Sequence, residues 1–554
     1  MKRTALLCAF MVRQAHHEGL LAFCRSARGL TRAGAAVMTA WLWAYSDRLS
    51  ARAGETVALH VSGTGVRCAI EIARVAATRE VVWRREGVAI GRHPISHNAH
   101  VAGCDWPVAM SLQVPAEWRS GNYDLLLTAD DGAQARHMLC VKAATRAAPA
   151  ALVLATNTYH AYNAWGGANT YAWVGGPEPV VAVPEDKAGH VVAPVLSARR
   201  PFSAGLMKPR AERHRLVTET RRAFGERPVR SEVIHEMKAG GLSWDCPAGF
   251  QDKWEHAFAA WAEPAGYAFD YLTDFDLEAD PEALAPYRLV IVVGHSEYWS
   301  HGQRLQVERF VDAGGRLAIF SGNTCYWQCR WEDEGRSFVA YKGRAEDQDP
   351  LAADPQRRHL TSGLWSSPWV GRPEAALTGL SFLFGGYHRM ANCVARGTGG
   401  YTVWRDDHWA LKDADLYWGD VFGDDCRLVG YENDGCVFTI GADGLPVPVP
   451  RLGVPENLEI IATAPATLAE PEAAPWPRIV PPEAWPVLTR AYAGYDSPAN
   501  TRRMMRGHAV MAAFRRGAGE VFNAGTTEWA YGLAARNPFV ERITRNVLDR
   551  FLAT

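Results

Sequence analysis

Three short stretches concentrate side chains able to move protons, hold cations or attack carbonyls: Thr156–Gly167, Gly294–Trp299 and Gly322–Trp327. Each follows a run of buried-strand character, Ala151–Ala155, Leu289–Val293 and Arg316–Ser321. In an open parallel sheet, ligands bind beyond the carboxyl ends of the strands, so the three stretches are expected on one rim. In the first, Asn157, His160 and Asn163 are candidate substrate contacts. In the second, His295 is either an acid, base or substrate contact, or a loop histidine bonded to backbone. Gly294-His295-Ser296 begins like a nucleophile elbow, but Tyr298 stands where that turn needs a second glycine, which makes Ser296 a turn hydroxyl before a nucleophile. No cysteine directly follows Gly294, which argues against thiol-dependent glutamine hydrolysis.

The surrounding elements follow from periodicity. Asp252–Trp261 has the pattern of an amphipathic helix, and Ser300 with Gln303 forms a capping box opening a helix that ends at Asp312-Ala313-Gly314-Gly315. Apolar strands alternating with helices predict an α/β core with a mostly parallel sheet over residues 148–554. Arg427–Tyr431, Cys436–Ile440 and Glu520–Ala524 read as further strands, Asn537–Leu552 as a closing helix, and residues 465–486 as a Pro-rich surface excursion. Upstream, Thr56–Val61, Ala69–Val75 and Tyr123–Thr128 alternate between Gly- and Asp-containing turns, which predicts an all-β sandwich over residues 38–147. Residues 1–37 make a poor signal peptide, because charged residues follow the short apolar string Thr4–Val12; they are expected to be a disordered extension, with Met38 as the start.

Bulk properties exclude several classes. The 554 residues are 48% hydrophobic and 21% charged, a composition that buries cores and disfavours long disorder. Lys and Arg number 59 against 60 Asp and Glu, without a basic run, so no nucleic-acid partner is expected. No apolar stretch reaches membrane-spanning length. The eleven cysteines lack paired zinc-finger spacing and read as reduced thiols, which predicts a soluble cytoplasmic protein.

The stretches His295-Ser296-Glu297-Tyr298-Trp299-Ser300, Gly322-Asn323-Thr324-Cys325-Tyr326-Trp327 and Gly430-Tyr431-Glu432-Asn433-Asp434-Gly435, with Tyr159–Gly167 and Gly525–Ala530, resemble in their order the large (beta) subunit family of N,N-dimethylformamidase. The resemblance implies a glutamine-amidotransferase-like α/β core and a mononuclear iron, Fe(III), held by Tyr298, Tyr326 and Glu432. Hard anionic oxygen donors suit that ion, and a Lewis-acidic metal suits hydrolysis of a small amide. Glu528, in the matching late region, is the candidate proton carrier, the alternative being a first-turn carboxylate of the next helix. One position departs from the pattern: the resemblance implies a histidine two residues before the metal-binding glutamate, and this chain has Gly430 there, so His295 or His160 would have to move that proton. The resemblance also implies a small partner subunit, which this sequence does not reveal; a homo-oligomer is the other expected assembly. Two further readings stand beside the amidase: a noncatalytic sugar- or metabolite-binding protein with an aromatic pocket, drawn from the 21 tryptophans, and a serine hydrolase using Ser296 with His295.

Overall fold

The computed structural model describes residues 40–170, 193–208, 249–388, 398–468, 485–494 and 497–553; the expected extension 1–37 and most of the Pro-rich excursion lie outside them. Trp41–Thr554 forms one compact unit. Its first part is a β-sandwich. A three-stranded sheet (Leu42–Ser46, Thr56–Gly63, Val108–Gln113) faces a five-stranded one built on Arg67–Val75, Arg79–Ala89, Gly121–Ala129, Gln134–Lys142 and the short Ser50–Arg52. Alternation puts Leu59 and Val61 of one sheet against Ile70, Ile72, Leu125 and Leu127 of the other in a common core.

The second part is a mixed α/β body around a nine-stranded sheet. Its order is Phe269–Thr273, Ala150–Leu154, Leu289–Gly294, Arg316–Ser321, Gly519–Asn523, Gly507–Arg516, Glu459–Ala466, Tyr401–Val403, Val421–Phe422. The first five strands are parallel, while every pairing after Gly519–Asn523 is antiparallel. The mostly parallel sheet expected from the sequence is therefore half of the observed one. The cause is connection length: only Gly517 and Ala518 separate Arg516 from its partner Gly519, and a two-residue loop closes a hairpin but cannot make a parallel crossover.

The elements that position the three stretches occur where periodicity places them. Helix Trp254–Ala262 packs on the sheet, and His301–Asp312 starts at Ser300 with both halves of the capping box formed. Pro538–Leu552 closes the chain, with the Asn537 side chain accepting from Phe539 N and Val540 N. The strand expected at Arg427–Tyr431 is instead a turn followed by irregular chain: Arg427 has φ 54°, and Leu428 and Val429 hydrogen-bond Gly423 and Gly399. Strand structure begins at Glu432.

Sandwich and core are joined by polar as well as apolar contacts. Arg74 forms a two-pronged pair with Glu263 (2.7 and 2.9 Å), and Lys142 meets Asp276 at 2.6 Å. Trp165, from the first stretch, is fully buried edge-on to Trp43 and Trp106 of the sandwich. The aromatic wealth of the chain is largely packing of this kind: Trp165, Trp299, Trp365 and Trp529 are among its largest fully buried side chains.

Candidate functional site

Backbone hydrogen bonds stitch the motifs together at the ends of the parallel strands. Cys325 N donates to Ser296 O at 2.9 Å, and Tyr326 N and Trp327 N donate to Glu297 O at 2.9 and 3.0 Å. Tyr298–Ser300 then pairs in parallel with Trp327–Cys329. Asn323 and Cys325 adopt positive φ, a costly conformation for such residues, and the turn is clamped by Asp434, whose carboxylate accepts from Asn323 N and Thr324 N. Gly322 is required by close approach: a Cβ there would lie 2.3 Å from Glu432 O and 2.7 Å from Thr527 N. Thr527 N in turn donates to Glu432 O at 3.0 Å. Four segments far apart in sequence thus share one buried volume.

At its centre lies a charged cluster. His295 Nε2 is 3.2 Å from Glu432 Oε2 and 3.3 Å from Glu297 Oε2. Tyr162 Oη donates to Glu297 Oε2 at 3.0 Å, and Trp327 Nε1 donates to Glu297 Oε1 at 2.9 Å. All these side chains are buried. Burial opposes protonation of His295, but the two carboxylates outweigh it and hold the imidazole up to about 9. Burial raises the Glu432 carboxyl, and the Glu297 charge pushes the same way against the pull of His295. His295 is therefore an imidazolium shared between two carboxylates that resist being charged together.

The tyrosines flank this cluster. Tyr298 is fully buried, with its hydroxyl 3.2 Å from Thr170 Oγ1 and its ring 6.0 Å from Lys342 Nζ. Tyr326 is buried against Phe382 and Trp327, within the electrostatic reach of Glu297 and Glu432; desolvation, then Glu374 and those carboxylates, hold its phenol well above the ordinary range. Lys342, in a left-handed conformation, places its ammonium 5.3 Å over the Trp327 ring, and desolvation pulls it down to about 7 against Glu297 and Glu432.

The residues present suit a hard cation. Two phenols and a carboxylate supply oxygen only, and Glu432 Oε2 is buried without accepting a hydrogen bond. Among the described residues, no group of three or more His, Cys, Asp or Glu is arranged to hold a metal, so such an ion would depend on the tyrosines. A bound cation would also reverse the electrostatics that keep the phenols protonated.

Glu528 is buried beside Gly430. Its Oε1 accepts from Trp254 Nε1 at 3.2 Å, and its Cγ lies 2.5 Å from where a Gly430 Cβ would stand. It also precedes the helix Trp529–Ala534 without a side-chain cap bond, so helix capping does not occupy its carboxylate. A side chain at 430 and the observed Glu528 position exclude each other.

The remaining sequence candidates sit elsewhere. Asn157 Nδ2 donates to Gln303 and its Oδ1 accepts from Trp331, while Asn163 bonds Pro201 O, Trp165 N and Ser203 N; both amides brace the fold. His160 lies in the wall of a different cavity, at the seam between sandwich and core. Ser296 Oγ accepts from Trp299 Nε1 at 2.9 Å, and the His295 Nε2 contacts run to carboxylates and to Tyr162, so the serine has no base aimed at it among the described residues. Sequence reading missed Glu297, Tyr162 and Lys342. Glu297 and Tyr162 stood within two of the stretches expected on one rim, whereas Lys342 comes from a segment that only folding brings close.

The family model for "N,N-dimethylformamidase beta subunit-like, C-terminal" matches residues 70–542. No curated protein matches. Among solved structures, one match is a Paenibacillus sp. cycloisomaltooligosaccharide glucanotransferase complexed with cycloisomaltoheptaose, 17% identical, with a TM-score of 0.14, spanning 20% of this chain and 15% of that one; a likeness so slight carries no argument. Among the described residues, no helix is long and apolar enough to cross a membrane, and seven cysteines are buried free thiols.

Proposed function

The chain belongs to the N,N-dimethylformamidase beta subunit-like family, and on that premise we propose that it is an iron-dependent hydrolase of a small linear amide. The observation that supports this most is the joining of four distant segments around Glu432: the Tyr326 backbone bonded to Glu297, Gly322 pressed on Glu432 O, and Thr527 bonded to it. In this reading Tyr298, Tyr326 and Glu432 hold the iron. When bound, the metal supplies Lewis acidity toward an amide carbonyl and toward water.

The protein's own groups then handle protons and exclusion of solvent. Glu528, oriented by Trp254 Nε1, accepts the proton of the attacking water and delivers it to the departing amine nitrogen. His295, held cationic between Glu297 and Glu432, balances the negative charge of the pocket. Tyr162 and Trp327 hold Glu297 in place by their hydrogen bonds. With Gly430 leaving its space to Glu528, no side chain from position 430 is asked to carry a proton.

The same reading takes the five parallel strands, with reactive loops at their carboxyl ends, as a glutamine-amidotransferase-like core, and it expects a cytoplasmic enzyme. The test is metal content and visible absorption of purified protein, wild type beside Tyr326→Phe. About one iron per chain, with a phenolate-to-iron band that weakens in the variant, is the expected result; iron-free, colourless protein after reconstitution would overturn the reading.

A further inference from the structure

We propose that the cavity at the seam between sandwich and core is a binding site for a small organic carboxylate. The cavity encloses about 370 Å³, room for a compact ligand, and neither His295 nor Tyr298, Tyr326 and Glu432 line it. Its wall combines three features. Trp331 and Phe275, ring centroids 5.0 Å apart, offer an aromatic surface, and His160 stands edge-on to Trp331 at 5.1 Å.

Thr156 and His160, one turn apart on the helix Thr156–Tyr162, both contribute to the wall, and both carry a buried polar atom, Thr156 Oγ1 and His160 Nδ1, without a hydrogen-bond partner. Such atoms are rare because burial without a partner forfeits their bonds to water, and two on one helix face beside one cavity point to a missing polar partner.

The third feature is charge. Asp276 is saturated by Lys142, Ser50 and Thr273, Asp47 by Ala58 N and Arg48, and Glu55 accepts from Arg52 N. Arg199 and Arg336 have no ion-pair partner among the described residues, nor do the Glu55 and Glu334 carboxylates of the same wall, so both guanidinium groups remain open to an anion. A carboxylate meeting the guanidinium groups, with an apolar body on the aromatic surface, answers all three features.

The experiment is calorimetric titration of sodium benzoate into the chelator-treated full chain at pH 7, with benzamide and inorganic phosphate run in parallel. Saturable one-to-one benzoate binding is expected, weakened about tenfold or more by Thr156→Val and by Arg199→Ala, and unchanged by Tyr326→Phe, which separates this site from the proposed iron site. Thermal melting verifies that each variant is folded; Thr156→Val preserves shape, and Arg199 is exposed. Absence of saturable heat, equal affinity in wild type and Thr156→Val, benzamide or phosphate binding as tightly as benzoate, or loss of binding in Tyr326→Phe would each overturn the proposal.

Discussion

His295 and His160 are both buried in the same α/β body, yet their surroundings drive them in opposite directions. His295, between Glu297 and Glu432, is held up to about 9; His160, beside Phe202, Trp331 and Phe338, is pushed down to about 3 by desolvation and then by the charge of Arg200. Burial alone would depress both. The difference teaches that carboxylates within ion-pair distance, rather than depth, decide which buried histidine is charged, and that the two regions are built for different work. One is a cluster of opposite charges in which His295 Nδ1 and Glu432 Oε2 still lack hydrogen bonds, and the other is an aromatic wall in which Thr156 Oγ1 and a neutral His160 lack them.

The strongest way to sharpen this contrast is to remove the carboxylate assigned to proton transfer. Glu528→Gln keeps shape and the acceptor for Trp254 Nε1 but cannot take up a proton, so kcat on a hydrolysable amide should fall about 10²–10⁴-fold while iron content stays at the wild-type level. Metal analysis alongside steady-state kinetics checks it; unchanged kcat would return Glu528 to a structural role. Next in size is Gly430→Ala, whose Cβ would stand 2.5 Å from Glu528 Cγ. Displacing that buried side chain should cost about 1–3 kcal/mol of stability, read by denaturant unfolding, together with a drop in kcat. Wild-type stability and kcat in this variant would show that the two positions do not compete.

These comparisons also show what could be read in advance. The parallel strands, the Ser300–Gln303 capping box and the Asn537 cap were legible because each depends on local spacing, and the structure reproduces them within a residue or two. The segment Arg427–Tyr431 misled because its apolar residues fill a buried turn, where burial imitates strand character without a ladder. At the candidate site, the meeting of the motifs that carry Tyr298, Tyr326, Glu432 and Glu528 was legible from their order and resemblance. Tyr162 and Lys342 were not, since a tyrosine closing a helix and a lysine at φ 60° acquire meaning only from what stands opposite them. Asn157 and Asn163, read as ligand contacts, brace loops here, since an amide carries both a donor and an acceptor.

The neutral side of the contrast makes a prediction in pH. His137, on the sandwich, is buried with Nε2 2.7 Å from Ser46 Oγ, and desolvation lowers it to about 4 from a usual 6.5. Because the folded value lies below the unfolded one, the unfolded chain binds more protons in between. The contribution to stability is therefore whole above about pH 6.5 and is lost as pH falls toward 4. At pH 5 the loss is about 2 kcal/mol, so the stability difference between wild type and His137→Gln should narrow by that amount from pH 7 to pH 5 in urea unfolding. A constant difference would mean that His137 titrates normally in the fold.

The smallest expected effect separates the two regions on a single helix. Thr158 Oγ1 accepts from Glu297 N at 3.0 Å, on the side of the ionic cluster, whereas Thr156 Oγ1, half a turn earlier, is buried with no partner in the seam wall. Valine has threonine's shape without its hydroxyl, so the same substitution acts with opposite sign at the two positions. Thr158→Val leaves a buried backbone N–H unanswered and should destabilise by about 1–3 kcal/mol. Thr156→Val removes an atom whose desolvation nothing offsets in the ligand-free protein, and should leave stability unchanged or raise it by up to about 1 kcal/mol. Denaturant unfolding of both variants measures the pair. If Thr156→Val proved as destabilising as Thr158→Val, its hydroxyl would have to be satisfied within the free protein, and the seam would lose one of the two unanswered atoms on which its ligand site is argued.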